Sequence, residues 1–386
     1  MQSGEQLLIV GASARAAAFS ALRAGLRPEC ADLFADADLR ARCPVWRVGP
    51  RDYPAGLLDL PALDRPGPWL YTGGLENHPD LIDAIARRRR PLWGNPAAVL
   101  RHARGPFEVR AVLRAAGLPC PEVWPGEAPP PPDGRWLVKP LAGAGGSGVR
   151  LWGASARRPP KRPAYWQEFI AGEACAAVYV GDGETATLLG VTRQLVGERW
   201  LHAKPFAYCG SIGPLNLEPA TDLALDRLGS ALARGCDLRG LFGVDYVLHD
   251  VTPWPVEVNP RYTASTEVLE YATGVAALSC HRRVFEPSTP EAAAPRHTAP
   301  HSVVGKAILF ARASLVFPVD GPWAAALGKK DSPFALPSFG DIPAAGQRIE
   351  IGRPILTVFA RASSPASCLK ILKRTAGELD QALYGR

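Results

Sequence analysis

Asp245, Glu257 and Asn259 are the side chains whose spacing most directly suggests chemistry. They lie in Gly243-Val244-Asp245-Tyr246-Val247-Leu248 and Pro255-Val256-Glu257-Val258-Asn259-Pro260-Arg261. Glu257 and Asn259 are two residues apart, so on a strand they share a face. A hairpin turning near Val251 sets Asp245 opposite Glu257, with about 5 Å between Cβ atoms. The three supply oxygen ligands only, a set suited to Mg2+ (or Mn2+) held together with substrate phosphates. A surface hairpin with incidental acids is the competing reading. Apolar flanks on both strands argue for burial, where two unpaired carboxylates repel each other and a cation is the natural partner.

A second cluster precedes it. Trp136-Leu137-Val138-Lys139 reads as a strand ending in lysine, and Gly143-Ala144-Gly145-Gly146-Ser147-Gly148 follows. The six residues match G-x-G-x-x-G, but a dinucleotide site needs a helix next and an acid about 20 residues on. Val149-Arg150-Leu151-Trp152 alternates as a strand instead. A glycine hairpin between strands lays backbone N–H groups over phosphates, with Lys139 neutralising them; a merely flexible hairpin tip is the plainer alternative. Only eight of the 44 basic residues are lysine, so a lysine inside a motif points to use of its compact ammonium. Tyr165-Trp166-Gln167-Glu168-Phe169-Ile170-Ala171-Gly172-Glu173 then has the form of an extended hinge. Such a hinge holds a flat purine by its backbone, and a carboxylate a few residues on accepts ribose hydroxyls.

These residues need a scaffold. Residues 5–95 alternate strands and helices, giving a small open α/β layer in which ligands sit at the carboxyl ends of strands. Gly11-Ala12-Ser13-Ala14-Arg15 and Gly73-Gly74-Leu75-Glu76-Asn77 both occupy such ends. Phe107–Ala116 reads as a helix stopped by Gly117-Leu118-Pro119. Hairpins dominate to about 210, a helix follows near 222–235, and strands at 303–310 and 354–359 precede a closing helix near 365–384. The fold class is α/β (α+β), divided as an N-terminal α/β domain (1–96), a central domain (97–290) and a C-terminal α+β domain (298–386). The proline-, alanine- and threonine-rich stretch 286–300 reads as a linker.

Composition narrows the function classes. The chain of 386 residues is 47% hydrophobic and 21% charged, with a formal charge of +7, as expected of a folded protein that attracts anions. No apolar run reaches 18 residues, and no basic leader precedes Leu7, so neither a membrane span nor secretion is expected. The eight cysteines form no C-x-x-C pair, which suits free thiols in a reducing cytoplasm. Arg87–Arg90 closes a helix-like segment, where cations suit the carboxyl end, and no nucleic-acid module is visible.

The order of features resembles the ATP-grasp superfamily over roughly residues 97–285. A lysine stands before a glycine hairpin, a hinge ends in Gly172-Glu173, and Asp245 is followed by Glu257-Val258-Asn259-Pro260-Arg261. The resemblance implies ATP as cosubstrate, with Lys139 on the α- and β-phosphates beneath Gly145, Gly146, Ser147 and Gly148. It implies Glu168 and the backbone of Phe169 and Ile170 on adenine, and Glu173 on the ribose. It further implies Asp245, Glu257 and Asn259 on magnesium, and Arg261 on the γ-phosphate or an acyl phosphate. Arg104 stands where a phosphate-binding lysine is usual. Arg193 and Lys204 fall where members place γ-phosphate or substrate contacts. Tyr208–Pro214 is either a substrate loop or a plain turn. Residues 1–96 match a pre-ATP-grasp domain, and Ile342–Ala360 looks like the final domain of biotin-carboxylase-related members. The whole is similar to ATP-grasp proteins of pterin- or furan-linked one-carbon metabolism, among them tyramine–glutamate ligase-like enzymes.

The activity this implies is a cytoplasmic carboxylate–amine ligase acting through an acyl phosphate on two small molecules. Self-association as a homodimer is compatible with it. One alternative is a biotin-carboxylase-like enzyme forming carboxyphosphate, although Met1 is the only methionine and no carrier motif of the Met-Lys-Met type exists. The other is a non-catalytic nucleotide-binding regulatory protein.

Overall fold

The computed structural model describes residues 4–88, 90–126, 128–153, 160, 162–288, 302–328 and 332–385. Most of the expected linker at 286–300 lies outside the described residues.

The N-terminal layer is a parallel sheet in the order Val45–Arg47, Arg27–Asp32, Gln6–Val10, Trp69–Tyr71. Gln6–Val10 is central and its apolar residues are buried, as a parallel strand covered on both faces requires. Ala17, Ala18 and Ala21 of helix Arg15–Arg23 are buried; alanine favours the helix and leaves little bulk between it and its neighbours. The chain leaves Gln6–Val10 toward one edge and reaches Trp69–Tyr71 on its other side. The carboxyl ends of these two strands therefore open a crevice, flanked by Gly11–Arg15 and Thr72–Asn77. A Cβ on Gly11 would lie 1.9 Å from Thr72 Oγ1, so only glycine admits this approach of the two loops.

A second sheet runs Val123–Trp124, Ala164–Glu168, Asp133–Pro140, Arg150–Gly153. The last two strands pair antiparallel, and the glycine loop joins them, as the alternation of Val149–Trp152 implied. The third sheet has eight antiparallel strands, in the order Thr252–Asn259, Arg239–His249, Glu173–Asp182, Ala186–Val196, Tyr208–Gly213, Val303–Phe310, Pro354–Ala362, Phe339–Gly340. Tyr208–Gly213 is thus a strand between two neighbours, where a substrate loop or plain turn was expected over Tyr208–Pro214.

Helix Pro219–Cys236 covers one face of this sheet with Leu225, Leu228, Leu232, Ala233 and Cys236. Beneath it lie Val244, Tyr246 and Val258, and Tyr179 stacks on Phe242 at 5.0 Å. Because side chains alternate, the same two strands send Asp245, Glu257 and Asn259 to the opposite face. The C-terminal strands continue the sheet across the expected 290/298 division. Leu195, Cys209 and Ile212 share one core with Ala307, Leu309, Val358 and Leu372. Among the described residues no helix is long and apolar enough to cross a membrane.

Candidate active site

Asp245 pairs with Glu257 and Gly243 with Asn259 in the hairpin register, as the spacing predicted. Asp245 accepts from Gln194 Nε2 at 2.8 Å and from Asn259 Nδ2 at 3.2 Å. Burial pushes its carboxyl up to about 7, the charge of Glu257 adds to this, and Arg261 opposes it. Burial also opposes the charge of Glu257, yet Arg104, Lys139 and Arg261 hold it below its ordinary value. The carboxylate pair is therefore split, one held ionised by cations and the other easily protonated.

Arg104 ties the pair to the rest of the site. Its Nη1 donates to Glu257 Oε1 at 2.6 Å and to the Val258 carbonyl at 3.1 Å; its Nη2 donates to Asn77 Oδ1 and the Gly143 carbonyl. Lys139 Nζ donates to Gln167 Oε1 at 3.0 Å and to the Val256 carbonyl at 2.8 Å. The glycine loop is pinned at both ends, since Asn77 Nδ2 also donates to the Gly143 carbonyl and the Tyr208 N–H donates to the Gly145 carbonyl. Gly146 has φ +76°, and a Cβ there would meet the Phe206 carbonyl at 1.8 Å. The loop lies flat only because this residue has no side chain.

Lys139, Gly145, Gly146, Gln167, Asp245, Glu257 and Asn259 line a cleft of about 1430 Å³ together with Glu168, Phe169, Ile170, Gln194 and Tyr208. In the hinge, the N–H of Glu168 donates to Glu122 and that of Phe169 to Arg135. The Ile170 N–H has no partner among the described residues, which leaves a free donor on a residue that lines the cleft. At the other end Arg261 donates from Nε and Nη2 to Glu76, and from Nη2 to Asn259 Oδ1 at 3.1 Å. Beyond Arg261 the cleft joins a second cavity of about 1240 Å³, bounded by the crevice loops and the C-terminal strands.

Comparison with known proteins agrees with this architecture. Residues 107–265 match the family described as ATP-grasp domain. An uncharacterised protein of Methanocaldococcus jannaschii is 24% identical over 232 residues, 58% of this chain and 50% of that protein. The chain thus matches half the length of that relative. Carboxyaminoimidazole ribonucleotide synthase from Aspergillus clavatus, solved with ATP, superposes with a TM-score of 0.73 at 14% identity, covering 99% of this chain and 100% of that one. L-amino acid ligase from Bacillus licheniformis gives 0.69 at 17% identity, covering 99% and 98%. The fold throughout is the ATP-grasp fold.

Most residues singled out from sequence converge. Lys139, Gly145, Gly146, Glu168, Phe169, Ile170, Asp245, Glu257, Asn259 and Arg261 line the cleft, and Arg104 and Ser147 line a smaller hollow under the loop. Gly148 turns the hairpin with φ +83° and lines neither. Arg193 and Glu173 pair with each other at 3.1 Å, both substantially exposed, and neither lines the cleft. Arg193 points away because Gln194, its neighbour on the strand, takes the inward position. Lys204 is exposed and packs near Gly352 of the C-terminal segment. Gln194, Gln167 and Lys306 are functional candidates that sequence reasoning missed. Period-two alternation could have suggested Gln194 once Asp245 was placed, but Lys306 becomes visible only when the strand after the linker is seen to join the sheet.

Proposed function

We propose that this protein is an ATP- and magnesium-dependent ligase that activates a carboxylate as an acyl phosphate and transfers the acyl group to an amine. The observation that supports this best is the convergence of Lys139, Arg261 and the Asp245–Glu257–Asn259 set on one cleft that opens into a second cavity. Adenine fits the hinge at Glu168–Ile170, where the Ile170 N–H is free, and the triphosphate lies beneath Gly145–Ser147 beside Lys139 and Arg104. The oxygen-only donor set and the repulsion within the carboxylate pair fit a divalent cation, so Asp245, Glu257 and Asn259 would hold Mg2+. Bound there, the ion would neutralise phosphate charge.

Lys139 and Arg261 stabilise the charge on the γ-phosphoryl group while a substrate carboxylate oxygen attacks phosphorus in line and ADP leaves. The amine nitrogen then attacks the acyl carbon, the C–O bond to phosphate breaks, and the nitrogen loses a proton. Arg193, Glu173 and Lys204 are left out of this assignment because none lines the cleft. A cytoplasmic location, read from the unpaired cysteines, and a place in one-carbon metabolism, read from sequence likeness, are part of the proposal.

Hydroxylamine tests the reading. With ATP, Mg2+ and a panel of carboxylic acids, it should intercept the acyl phosphate and give a hydroxamate matched by ADP and phosphate. Turnover that depends on bicarbonate and biotin would point to a carboxylase. ATP binding without turnover across the panel would point to a regulatory protein.

A further inference from the structure

The second cavity carries a feature that nucleotide binding does not use. Its lining includes Ser13, Arg15, Asp36, Lys306 and Asp341. Two cations in this corner, Arg15 and Lys306, face the carboxylates of Asp32, Asp36, Asp38, Glu267 and Asp341. Four of the five are satisfied. Glu267 accepts from Arg15 Nη2 at 2.8 Å and from Lys306 Nζ at 3.0 Å. Asp341 takes Arg15 Nε at 2.7 Å and the Thr357 hydroxyl at 2.5 Å. Asp38 accepts from the backbone N–H groups of Asp341 and Ile342. Asp32 accepts from those of Ala14, Phe34 and Ala35.

Asp36 is the exception. It is 5% exposed, and its carboxylate accepts no hydrogen bond among the described residues. It stands at the N-cap of helix Ala37–Arg40, where an aspartate ordinarily turns back onto the helix N–H groups, yet it makes no such bond. It is one of the residues that line the cavity instead. The backbone enforces this. Ala35, just before it, has φ +50°, a left-handed conformation costing an alanine about 1–2 kcal/mol, and the bond from its N–H to Asp32 at 2.7 Å holds it there. Burial, together with Asp341, Asp38 and Asp32, pushes the Asp36 carboxyl well above its ordinary value, with Arg15 opposing. An incoming cation is the partner that keeps it ionised.

A metal ion is the poorer occupant, because the other carboxylates of the corner are already engaged by Arg15, Lys306 and backbone N–H groups. The rest of the wall is largely apolar, with Phe34, Ile308, Ile355 and Leu356 among its members. We propose that the substrate occupying this cavity carries a protonated primary amine on an apolar body, and that Asp36 is the residue that binds the ammonium. The assignment rests on the ligase reading for its place in the reaction, since the cavity meets the nucleotide cleft at Arg261.

The test is direct binding to the full chain without ATP, read by saturation-transfer NMR and calorimetry. The probes are butylamine, hexylamine and phenethylamine, each paired with the alcohol of the same shape. The expected result is that at least one amine binds about ten-fold or more tightly than its alcohol, as a charge-assisted hydrogen bond gives. That preference should vanish in Asp36→Asn and survive in Asp320→Asn, which removes an exposed acid outside the cavity. Equal binding of amines and alcohols to the unaltered protein, or an amine preference retained in Asp36→Asn, overturns the site; the first comparison needs no variant to fold. An Asp36-dependent preference with no ADP release would leave the site standing and sink the ligase. ADP release with an amine preference that survives in Asp36→Asn would do the reverse.

Discussion

Arg261 donates from both Nε and Nη2 to a single oxygen of Glu76, at 2.9 and 2.7 Å. Glu76 is buried, and Arg261 holds its carboxyl below the ordinary value against the effect of burial. The bond joins the crevice of the N-terminal layer to the end of the carboxylate hairpin, so it fixes where the guanidinium sits. Glu76→Gln keeps the shape and removes the charge. We expect ADP release to fall at least ten-fold, with a folded protein by circular dichroism, because a preorganised charge at a developing anion accounts for about 2.7–4 kcal/mol. An unchanged kcat would show that Arg261 needs no anchor.

The carboxylate pair makes a metal prediction. ADP production should require Mg2+ or Mn2+, and Glu257→Gln should weaken it by an order of magnitude or more. The same change removes the partner of Arg104, whose Nη1 lies 2.6 Å from Glu257. Arg104→Gln breaks the ion pair and loses a phosphate contact but leaves the oxygen ligands, so its remaining turnover should still depend on Mg2+. Turnover by Glu257→Gln in excess chelator would dismiss the site.

Much of this was legible in the sequence. The register of Asp245 against Glu257 follows from a period of two and a turn near Val251, and the hairpin character of the glycine loop follows from the alternation after it. Two readings turned on packing and facing, which a sequence does not show. Tyr208–Gly213 looked like a loop because Gly210 and Gly213 are poor strand formers. Yet a Cβ on Gly210 would lie 2.2 Å from the Lys306 carbonyl, so glycine is there for close strand packing. Arg193 looked like a phosphate ligand because charge is visible in sequence and facing is not. Asp36 carried no signal at all: a lone Asp before a short helix reads as a cap, and only three-dimensional placement shows that it does not cap.

His281 gives a pH prediction away from the site. Its Nδ1 accepts from the Leu241 N–H at 2.8 Å, so the proton sits on Nε2, 3.2 Å from the Trp93 carbonyl. Burial lowers its pKa to about 4, with Trp93 opposing. A depressed histidine stabilises the fold fully above its unfolded value near 6.5, and that contribution is lost as pH falls toward 4. The shift corresponds to about 3 kcal/mol. Urea midpoints measured from pH 7 to pH 4 should fall more steeply for the unaltered protein than for His281→Gln. Parallel curves would mean that the ring titrates normally.

Lys139 makes the sharpest prediction. Its ammonium donates to Gln167 and to the Val256 carbonyl, and its position beside Gly145 and Gly146 leaves a narrow space under a loop pinned by Asn77 and Tyr208. Lys139→Ala should lower turnover by roughly 10²-fold or more, the loss seen when one preorganised charge is removed from a developing anion. Lys139→Arg keeps the charge but replaces a compact three-donor head with a planar fork. The fork cannot reach both carbonyl oxygens and a phosphate without lifting the loop, so the arginine variant should recover less than a tenth of the lost activity. In a chain that uses arginine at 36 of its 44 basic positions, that outcome would explain why lysine stands here. Full activity of Lys139→Arg would show that charge alone suffices and that the loop opens far enough to admit either side chain.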